Sequence, residues 1–244
     1  MNTLKARLKE FKLSGILKSI DARVQYANDN SIGYIQLLEI LIDDEANSRN
    51  NNSYKKRYAK AKIPSHKTIE DFDFNFQPTL DKKLINDAMT GQYIDNCTNI
   101  VFIGNPGTGK THLATALAIN ALSNKKKVMF TSVSHMLAVL HSSKADNSYY
   151  KKLNEYLTPD LLVMDEFGFQ KIPSHSANDL FEVISKRYEH GSCIITTNKI
   201  FEQWSDIVGD QILSQAILDR IVHHSMIFKI NGRSYRSKNV AIED

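Results

Sequence analysis

Residues 104–111 read GNPGTGKT and fit the eight-residue P-loop pattern at every position. Glycines let the backbone N–H groups of such a loop turn inward around nucleotide phosphates, at the positive end of the following helix. Lys110 is expected to reach the β- and γ-phosphates, and the Thr111 hydroxyl to bind Mg²⁺. The predicted nucleotide contacts are the loop and the start of its helix: Gly104, Asn105, Pro106, Gly107, Thr108, Gly109, Lys110, Thr111 and His112.

The residues on either side of this loop distinguish a P-loop from a simple glycine-rich turn. Residues 100–103, IVFI, form a short unbroken apolar run, which predicts a buried strand. Residues 112–122 are rich in Ala and Leu and lack Gly and Pro, which predicts a helix. The strand, loop and helix order therefore favours a nucleotide site.

A second motif, LLVMDE at 161–166, places two carboxylates after four apolar residues. An unbroken apolar run is typical of a strand buried on both faces, and its carboxyl end opens into the ligand crevice of a parallel sheet. Asp165 is then predicted to hold Mg²⁺ together with Thr111, and Glu166 to orient and deprotonate the attacking water. An exposed turn is the alternative, which the spacing of 54 residues from Thr111 disfavours.

A third strand, CIIT at 193–196, ends at Thr197 and Asn198. An amide at that strand end would lie beside the γ-phosphate, where it can position water and sense the phosphate. The alternative is an asparagine that only forms a turn.

Composition describes a globular chain of 244 residues with 42% apolar and 24% charged residues. This length fits one domain of ordinary size and a small one. No apolar run approaches the roughly 20 residues of a membrane span, and no signal peptide is visible, so we expect a cytoplasmic protein without membrane contact. Cys97 and Cys193 are isolated, which predicts buried free thiols rather than a disulfide or zinc site.

Positive charge is concentrated at the front of the chain. Residues 1–70 carry 13 Lys/Arg and 8 Asp/Glu, a net +5, whereas the rest carries 18 and 19, a net −1. Residues 49–67 hold seven basic residues and no acidic ones, with Tyr54 and Tyr58 between them. This pattern predicts a polyanion-binding segment, with a solvated helix face as the alternative.

The spacing of apolar residues predicts a small helical domain followed by a larger α/β domain. Residues 4–24 fit an amphipathic helix or a pair of helices, and residues 34–42 a further helix, so a small helical domain is expected over residues 1–67. Residues 68–78 alternate Phe with polar residues and predict an extended segment, and 81–94 predict one helix. The remainder, 68–244, alternates strands and helices as an α/β fold does, with a parallel sheet between helices.

Taken together, these motifs resemble those of IstB-type ATPases, the helper proteins of a family of bacterial insertion sequences. The resemblance rests on GNPGTGKTHLA, LLVMDEFG, ISKRYE (184–189), ITTN followed by FEQW (201–204), LDRIVHH (218–224) and GRSYR (232–236). It implies an AAA+ fold, related to DnaC/DnaI-type helicase loaders and DnaA, with little or no C-terminal lid. It also implies ATP and Mg²⁺ as cofactors, and ATP-dependent homo-oligomers on double-stranded DNA that serve a partner transposase.

The resemblance assigns roles to single residues. Lys110 and Thr111 match the Walker A pair, Asp165 and Glu166 the Walker B pair, and Asn198 the sensor-1 residue. Arg220, in LDR, matches an arginine finger that acts on the neighbouring subunit, and Arg236 is expected to contact nucleotide. The basic segment is expected to contact DNA through Lys55, Lys56, Arg57, Lys60 and Lys62.

Three functional hypotheses follow. The first is an ATPase that assembles on duplex DNA and selects or remodels the target for a transposase. The second is a helicase loader whose N-terminal helices bind a replicative helicase. The third, a binding module with a degenerate nucleotide site, is the weakest, because Lys110 and both carboxylates are present.

Overall fold

Eleven α-helices, three short 3₁₀ helices and five strands are found in the computed structural model, which describes residues 2–237. The chain divides into a first unit that ends at Arg57 and a second that begins at Tyr58. The helices are α1 Asn2–Glu10, α2 Ser14–Asp29, α3 Tyr34–Ala61, α4 Lys82–Met89, α5 Gln92–Asp95, α6 Lys110–Ser123, α7 Val133–Ser142, α8 Tyr149–Leu157, α9 Ser174–Arg187, α10 Trp204–Val208 and α11 Gln211–Val222. The strands are β1 Asn99–Gly104, β2 Val128–Ser132, β3 Leu161–Phe167, β4 Ser192–Thr197 and β5 Ser225–Ile230.

The first unit is a small helical bundle with its own apolar core. Leu8, Ile20 and Leu41, one from each of its helices, are buried together. The first periodic stretch forms a pair of helices, as its pattern allowed. Helix α3 continues for 28 residues without a break, so the asparagine-rich run at 50–52 does not end it. The domain boundary expected near residue 67 stays a prediction.

A buried carboxylate connects α2 to α3 inside this unit. One oxygen of Glu45 accepts the backbone N–H groups of Gly15 at 2.6 Å and Ile16 at 3.2 Å, at the start of α2. The other accepts Arg49 Nε at 2.7 Å. A Cβ on Gly15 would lie 2.6 Å from the Glu45 Cα, so only glycine permits this close approach of the two helices.

The second unit is built on a parallel five-stranded sheet of order β2-β3-β4-β1-β5. Its central strands are buried except at Gly104 and Glu166, near the carboxyl ends of β1 and β3, as unbroken apolar runs predict for a sheet covered on both faces. The predicted α/β fold, a parallel sheet between helices, is confirmed. Because every strand points the same way, the residues after β1, β3 and β4 meet at one edge of the sheet.

Two local predictions were wrong. Residues 68–78 do not form an extended segment but turns and a 3₁₀ helix at Phe74–Phe76. There the Asp73 carboxylate accepts the N–H groups of Asn75 and Phe76 at 3.1 and 3.2 Å, which stabilises a turn against a strand. The single helix expected over 81–94 is two helices, because Gly91 adopts a left-handed φ of 83° between them.

Two expectations from composition can be compared with the structure. Over residues 2–237, no helix is long and apolar enough to cross a bilayer. Both cysteines are free thiols, as predicted, although only Cys193 is fully buried and Cys97 is half-buried.

Candidate nucleotide site

The P-loop connects β1, which ends at Gly104, to α6, which begins at Lys110. Gly107 and Gly109 have φ values of 80° and 98°, a left-handed backbone that favours glycine. A Cβ at Gly109 would lie 2.5 Å from the Phe72 ring, and one at Gly107 would lie 2.1 Å from the Ser234 hydroxyl. Both conformation and packing therefore require glycine, so this loop keeps the shape that its motif predicts.

Lys110 lies along the loop. Its Nζ donates to the carbonyl oxygens of Gly104 at 2.7 Å and Asn105 at 2.8 Å. Burial lowers the pKa of Lys110 from its ordinary value, and the positive charge of Arg236 lowers it further, while the Asp165 carboxylate opposes both. Phosphate oxygens would supply the negative charge that this partly buried ammonium group lacks.

Walker A and Walker B residues meet through a direct hydrogen bond. The Thr111 hydroxyl donates to the Asp165 carboxylate at 3.0 Å, and Asp165 is buried at the end of β3. The same carboxylate oxygen accepts the Thr196 hydroxyl from the neighbouring strand β4. Two residues 54 positions apart in sequence are thus in contact, as the predicted metal site requires.

Glu166 lies in a strained position beside this contact. The register between β3 and β4 shifts between Met164 and Phe167, which turns the chain at Glu166 into a left-handed φ of 61°. Such a conformation is costly for a residue with a Cβ and is typical of functional sites. Its side chain is exposed, so the carboxylate is accessible to water rather than packed in the core, although it is not among the residues that line the cleft beside the P-loop.

A cleft of about 160 Å³ opens along one side of the P-loop. Its floor is residues 107–112, and its walls include Phe72, Phe76 and Tyr235. The predicted contact Arg236 also lines this cleft. His112 has a structural contact as well, since its Nε2 donates to the Thr68 carbonyl at 2.8 Å. The aromatic wall was not predicted as part of the site, although the alternating phenylalanines at 72–76 were its sequence signal.

Residues 231–236, here called the C-terminal strap, lie across the loop. The Tyr235 N–H donates to the Gly107 carbonyl at 2.8 Å, and Gln77 Nε2 donates to the Arg233 carbonyl at 3.0 Å. A Cβ at Gly232 would lie 1.5 Å from Gln77 Oε1, so Gln77 requires glycine there. The strap therefore connects the segment before β1 to the P-loop and carries Arg236 into the cleft.

Two other predicted residues lie at different places in this unit. Asn198 follows β4, whose last residue Thr197 is in register with Ile103 of β1, so Asn198 lies level with the start of the P-loop. Arg220 is on α11, where its Nη1 donates to the Ala216 carbonyl at 2.9 Å and its guanidinium lies 4.9 Å from the Phe181 ring centre. Arg220 is not among the residues that line the cleft.

The predicted DNA contacts lie at the end of α3 and just beyond it. Lys56, Arg57 and Lys60 are spaced three and four residues apart and share a helix face, whereas Lys55 is off that face. The Arg57 Nη1 group also donates to the Ser53 hydroxyl at 2.7 Å. Lys62 follows the helix with a left-handed φ of 56°. All of these lysines are exposed.

Solved structures with a similar fold come from replication proteins. The DnaC helicase loader aligns with a TM-score of 0.56 and 21% identity, over 72% of this chain and 99% of that chain. DnaA from Aquifex aeolicus, bound to AMPPCP, aligns with a TM-score of 0.56 and 20% identity, over 69% and 51%. At these identities the likeness shows a shared fold alone.

Sequence relatives are more specific. The chain is 37% identical over 223 residues to the ATP-binding protein described for insertion sequence IS5376 of Geobacillus stearothermophilus, covering 91% of this chain and 89% of that one. It is 32% identical to the corresponding protein of IS21 from Pseudomonas aeruginosa, covering 98% and 90%. The family described as IstB-like ATP binding protein matches residues 6–242. The chain belongs to this IstB-like family of insertion-sequence ATP-binding proteins.

Proposed function

We propose that the chain is a Mg²⁺-dependent ATPase that assembles on duplex DNA and prepares target DNA for a partner transposase. The observation that carries the proposal is the hydrogen bond from Thr111 to Asp165, which joins the P-loop to the strand end that bears Glu166. The relatives named for insertion sequences favour this function over helicase loading.

The residues present fit ATP and Mg²⁺. Glycines at 107 and 109 adopt the left-handed backbone of a P-loop, which can turn N–H groups toward phosphates, and the aromatic walls of the cleft suit a nucleobase. Thr111 and Asp165 offer the hard oxygen ligands that Mg²⁺ prefers. Within residues 2–237 no group of three or more His, Cys, Asp or Glu could hold a metal, which fits an ion that shares its ligands with phosphates and water.

Each residue has a distinct task in hydrolysis. Bound Mg²⁺ would neutralise phosphate charge in the transition state. Lys110 binds the β- and γ-phosphates, Asn198 orients water near the γ-phosphate, and Glu166 accepts the proton of that water. Arg236 reaches the phosphates from the strap, and Arg220 acts on the nucleotide of a neighbouring subunit. Because Arg220 would reach that nucleotide only from a neighbouring subunit, full activity requires assembly.

The DNA part of the proposal is supported by the charge of the segment at 49–67. Lysine and arginine contacts to phosphates release condensed counterions, and each adds about 0.9 to the log–log slope of affinity against salt. If four to six basic residues of this segment engage DNA, they contribute roughly 4 to 5 per subunit to that slope. Such contacts carry little sequence information, so we expect weakly selective binding.

One experiment tests both parts. DNA affinity is measured across a salt series, with ATP and with a slowly hydrolysed analogue. The proteins are wild type, Lys110→Ala, Glu166→Gln and a quadruple variant with Lys55, Lys56, Arg57 and Lys60 changed to Ala. Glu166→Gln should bind ATP and hold DNA without turnover, because only water activation is lost. Lys110→Ala should lose ATP affinity and with it ATP-dependent DNA binding.

The outcomes separate the two parts. Wild-type turnover by Glu166→Gln would refute the assignment of the base. A salt slope in the quadruple variant equal to that of wild type would remove the basic segment from the DNA interface. Equal DNA affinity of wild type with and without nucleotide would refute the ATP-dependent assembly itself.

A further inference from the structure

Arg220 is contacted within its own subunit by a backbone carbonyl and by an aromatic ring. Its Nη1 group donates to the Ala216 carbonyl one turn earlier on α11, at 2.9 Å. Its guanidinium carbon lies 4.9 Å from the centre of the Phe181 ring on α9. Within residues 2–237, Arg220 takes part in no ion pair. A ring therefore holds this cation at a place where a carboxylate would be the more usual partner.

An aromatic ring holds a guanidinium differently from a carboxylate. The electron-rich face of the ring attracts the cation without neutralising it, whereas an ion pair would cancel the charge and use the N–H donors. A guanidinium carries five N–H donors, and the bond to the Ala216 carbonyl uses one of them. Arg220 thus keeps its charge and has further N–H groups that can bind phosphate oxygens.

Phe181 has a fixed place on α9. It is half-buried and packs against the main core of the second unit, on a helix whose residues Leu180 and Val183 are buried. Arg220 is also half-buried, and it borders an open surface of α11 on which Ile212 is 85% exposed. The ring therefore supports the guanidinium from the side of α9, while the surface of α11 beside it is open to another molecule.

We propose that Phe181 is a positioning residue, whose ring holds the Arg220 guanidinium in the orientation that reaches the nucleotide of a neighbouring subunit. This inference rests on the proposed function, in which Arg220 acts on that neighbour. The ring restricts a long side chain before it meets the phosphates, so less conformational freedom is lost when the contact forms. Loss of the ring should lower kcat and leave the affinity of the same subunit for ATP unchanged.

The first measurement is ATP turnover of full-length Phe181→Leu, which keeps an apolar side chain but removes the aromatic face. Its kcat should fall about three- to tenfold, the range expected for a partly exposed cation–π contact. Its KM for ATP should change by less than about twofold, because the P-loop is intact. Phe181→Tyr keeps the aromatic face and should turn over within about twofold of wild type.

Phe201→Leu is the matched control. Phe201 is also a half-buried ring packed against the core of the second unit, but among residues 2–237 no cation lies over it. The same change of ring to aliphatic side chain at this position should leave kcat unchanged.

A mixing experiment assigns the defect to the subunit that supplies the arginine. Lys110→Ala subunits should not bind ATP but carry an intact Arg220, so they should restore turnover to Arg220→Ala subunits. Lys110→Ala combined with Phe181→Leu should restore about three- to tenfold less, whereas Lys110→Ala combined with Phe201→Leu should restore as much as Lys110→Ala alone. In every mixture hydrolysis takes place in Arg220→Ala subunits, whose own Phe181 is intact. Sedimentation velocity with nucleotide checks that the mixtures assemble equally.

The outcomes separate this inference from the function on which it rests. Equal rescue with and without Phe181→Leu in the donor would overturn the positioning role and leave the arginine finger in place. A Phe181→Tyr variant as slow as Phe181→Leu would also overturn it, because the aromatic face would not be what matters. Absence of any rescue by Lys110→Ala would instead refute the action of Arg220 on a neighbour, and the inference would fall with it.

Discussion

The hydroxyl of Thr196 accepts the backbone N–H of Glu166 at 3.1 Å and donates its own hydrogen to Asp165. One side chain on β4 therefore holds both acidic residues of β3, at the point where the register of the two strands shifts. The bond to the Glu166 N–H satisfies a backbone group that the shift would otherwise leave unpaired. Thr196 is buried, so water cannot replace it.

Thr196→Val should lower kcat on the order of tenfold, because losing a buried hydrogen bond costs about 1 kcal/mol or more. The affinity for ATP should change by less than about twofold, since Lys110 and the P-loop are intact. Steady-state turnover and nucleotide titration measure the two quantities. Thr196→Ser keeps the hydroxyl and should restore most of kcat. A loss in Thr196→Ser as large as that in Thr196→Val would mean that the hydroxyl alone does not account for the effect.

We predict that Arg220 acts on a neighbouring subunit; in its own subunit it donates to the Ala216 carbonyl and lies over the Phe181 ring. An arginine supplied by a neighbour is worth on the order of 10³–10⁵ in rate in related phosphoryl transfer. ATP turnover per subunit should therefore rise steeply with protein concentration. A mixture of Arg220→Ala and Lys110→Ala, each inactive alone, should regain activity at shared interfaces.

A control variant shows whether the loss of activity is specific to Arg220. Lys186→Ala removes an exposed cation of the same unit, which pairs with Glu182 at 2.9 Å, and should leave turnover unchanged. If folded, assembled Arg220→Ala is not rescued by mixing, Arg220 has a structural role within its own subunit.

Acid should loosen the N-terminal unit through Asp44 and Glu45. Hydrogen bonds from Arg23 hold the pKa of Asp44 at about 2, and Arg49, with the backbone of Gly15 and Ile16, lowers the pKa of Glu45. Because both folded pKa values are below the ordinary values of about 4, their stabilisation is complete above about pH 5. It is lost as pH falls toward the folded pKa values.

Hydrogen exchange in α2 and α3, corrected for intrinsic rates, measures this loss between pH 5 and pH 2.5. The contribution of Asp44 should be about 1 kcal/mol or less, because the Arg23 side chain is 40% exposed to solvent. Asp44→Asn should lower protection at pH 5 and flatten its dependence on pH. Asp43→Asn, an exposed neighbour, should do neither. An unchanged profile in Asp44→Asn would remove the Arg23 pair from the acid response.

The sequence predicted those parts of the fold and site that depend on local pattern. The P-loop, the acidic end of β3 and the alternation of strands and helices follow from glycine spacing and apolar runs, and each lies where its pattern indicated. The aromatic wall of the cleft was missed, because Phe76 and Tyr235, whose ring centres lie 5.2 Å apart, come together through the packing of the strap on the segment before β1. No periodicity encodes a contact between segments 160 residues apart. The turn at 74–76 was missed because an alternation of Phe with polar residues fits a capped 3₁₀ helix as well as an extended strand.

Arg187 is a buried cation that the described chain supplies with no carboxylate. Only 2% of it is exposed, yet its guanidinium donates to the carbonyls of Tyr156 and Pro159, both at 2.9 Å, and of Ser192 at 2.8 Å. These carbonyls belong to the end of α8, the loop before β3 and the start of β4. The planar fork of arginine thus connects three segments that no other side chain could reach together.

Arg187→Lys should destabilise the second unit nearly as much as Arg187→Met, because a single ammonium group cannot satisfy carbonyls that lie in different directions. Each change leaves buried acceptors unpaired and should cost about 2–4 kcal/mol, a fall in melting temperature of roughly 5–15 °C for a unit of this size. Thermal unfolding of the nucleotide-free protein measures this fall in melting temperature. Lys186→Met changes the exposed neighbouring residue on α9. It should lower the melting temperature by no more than the loss of a surface ion pair would. If Arg187→Lys melts as wild type does, the positive charge rather than the fork of donors is what this site requires.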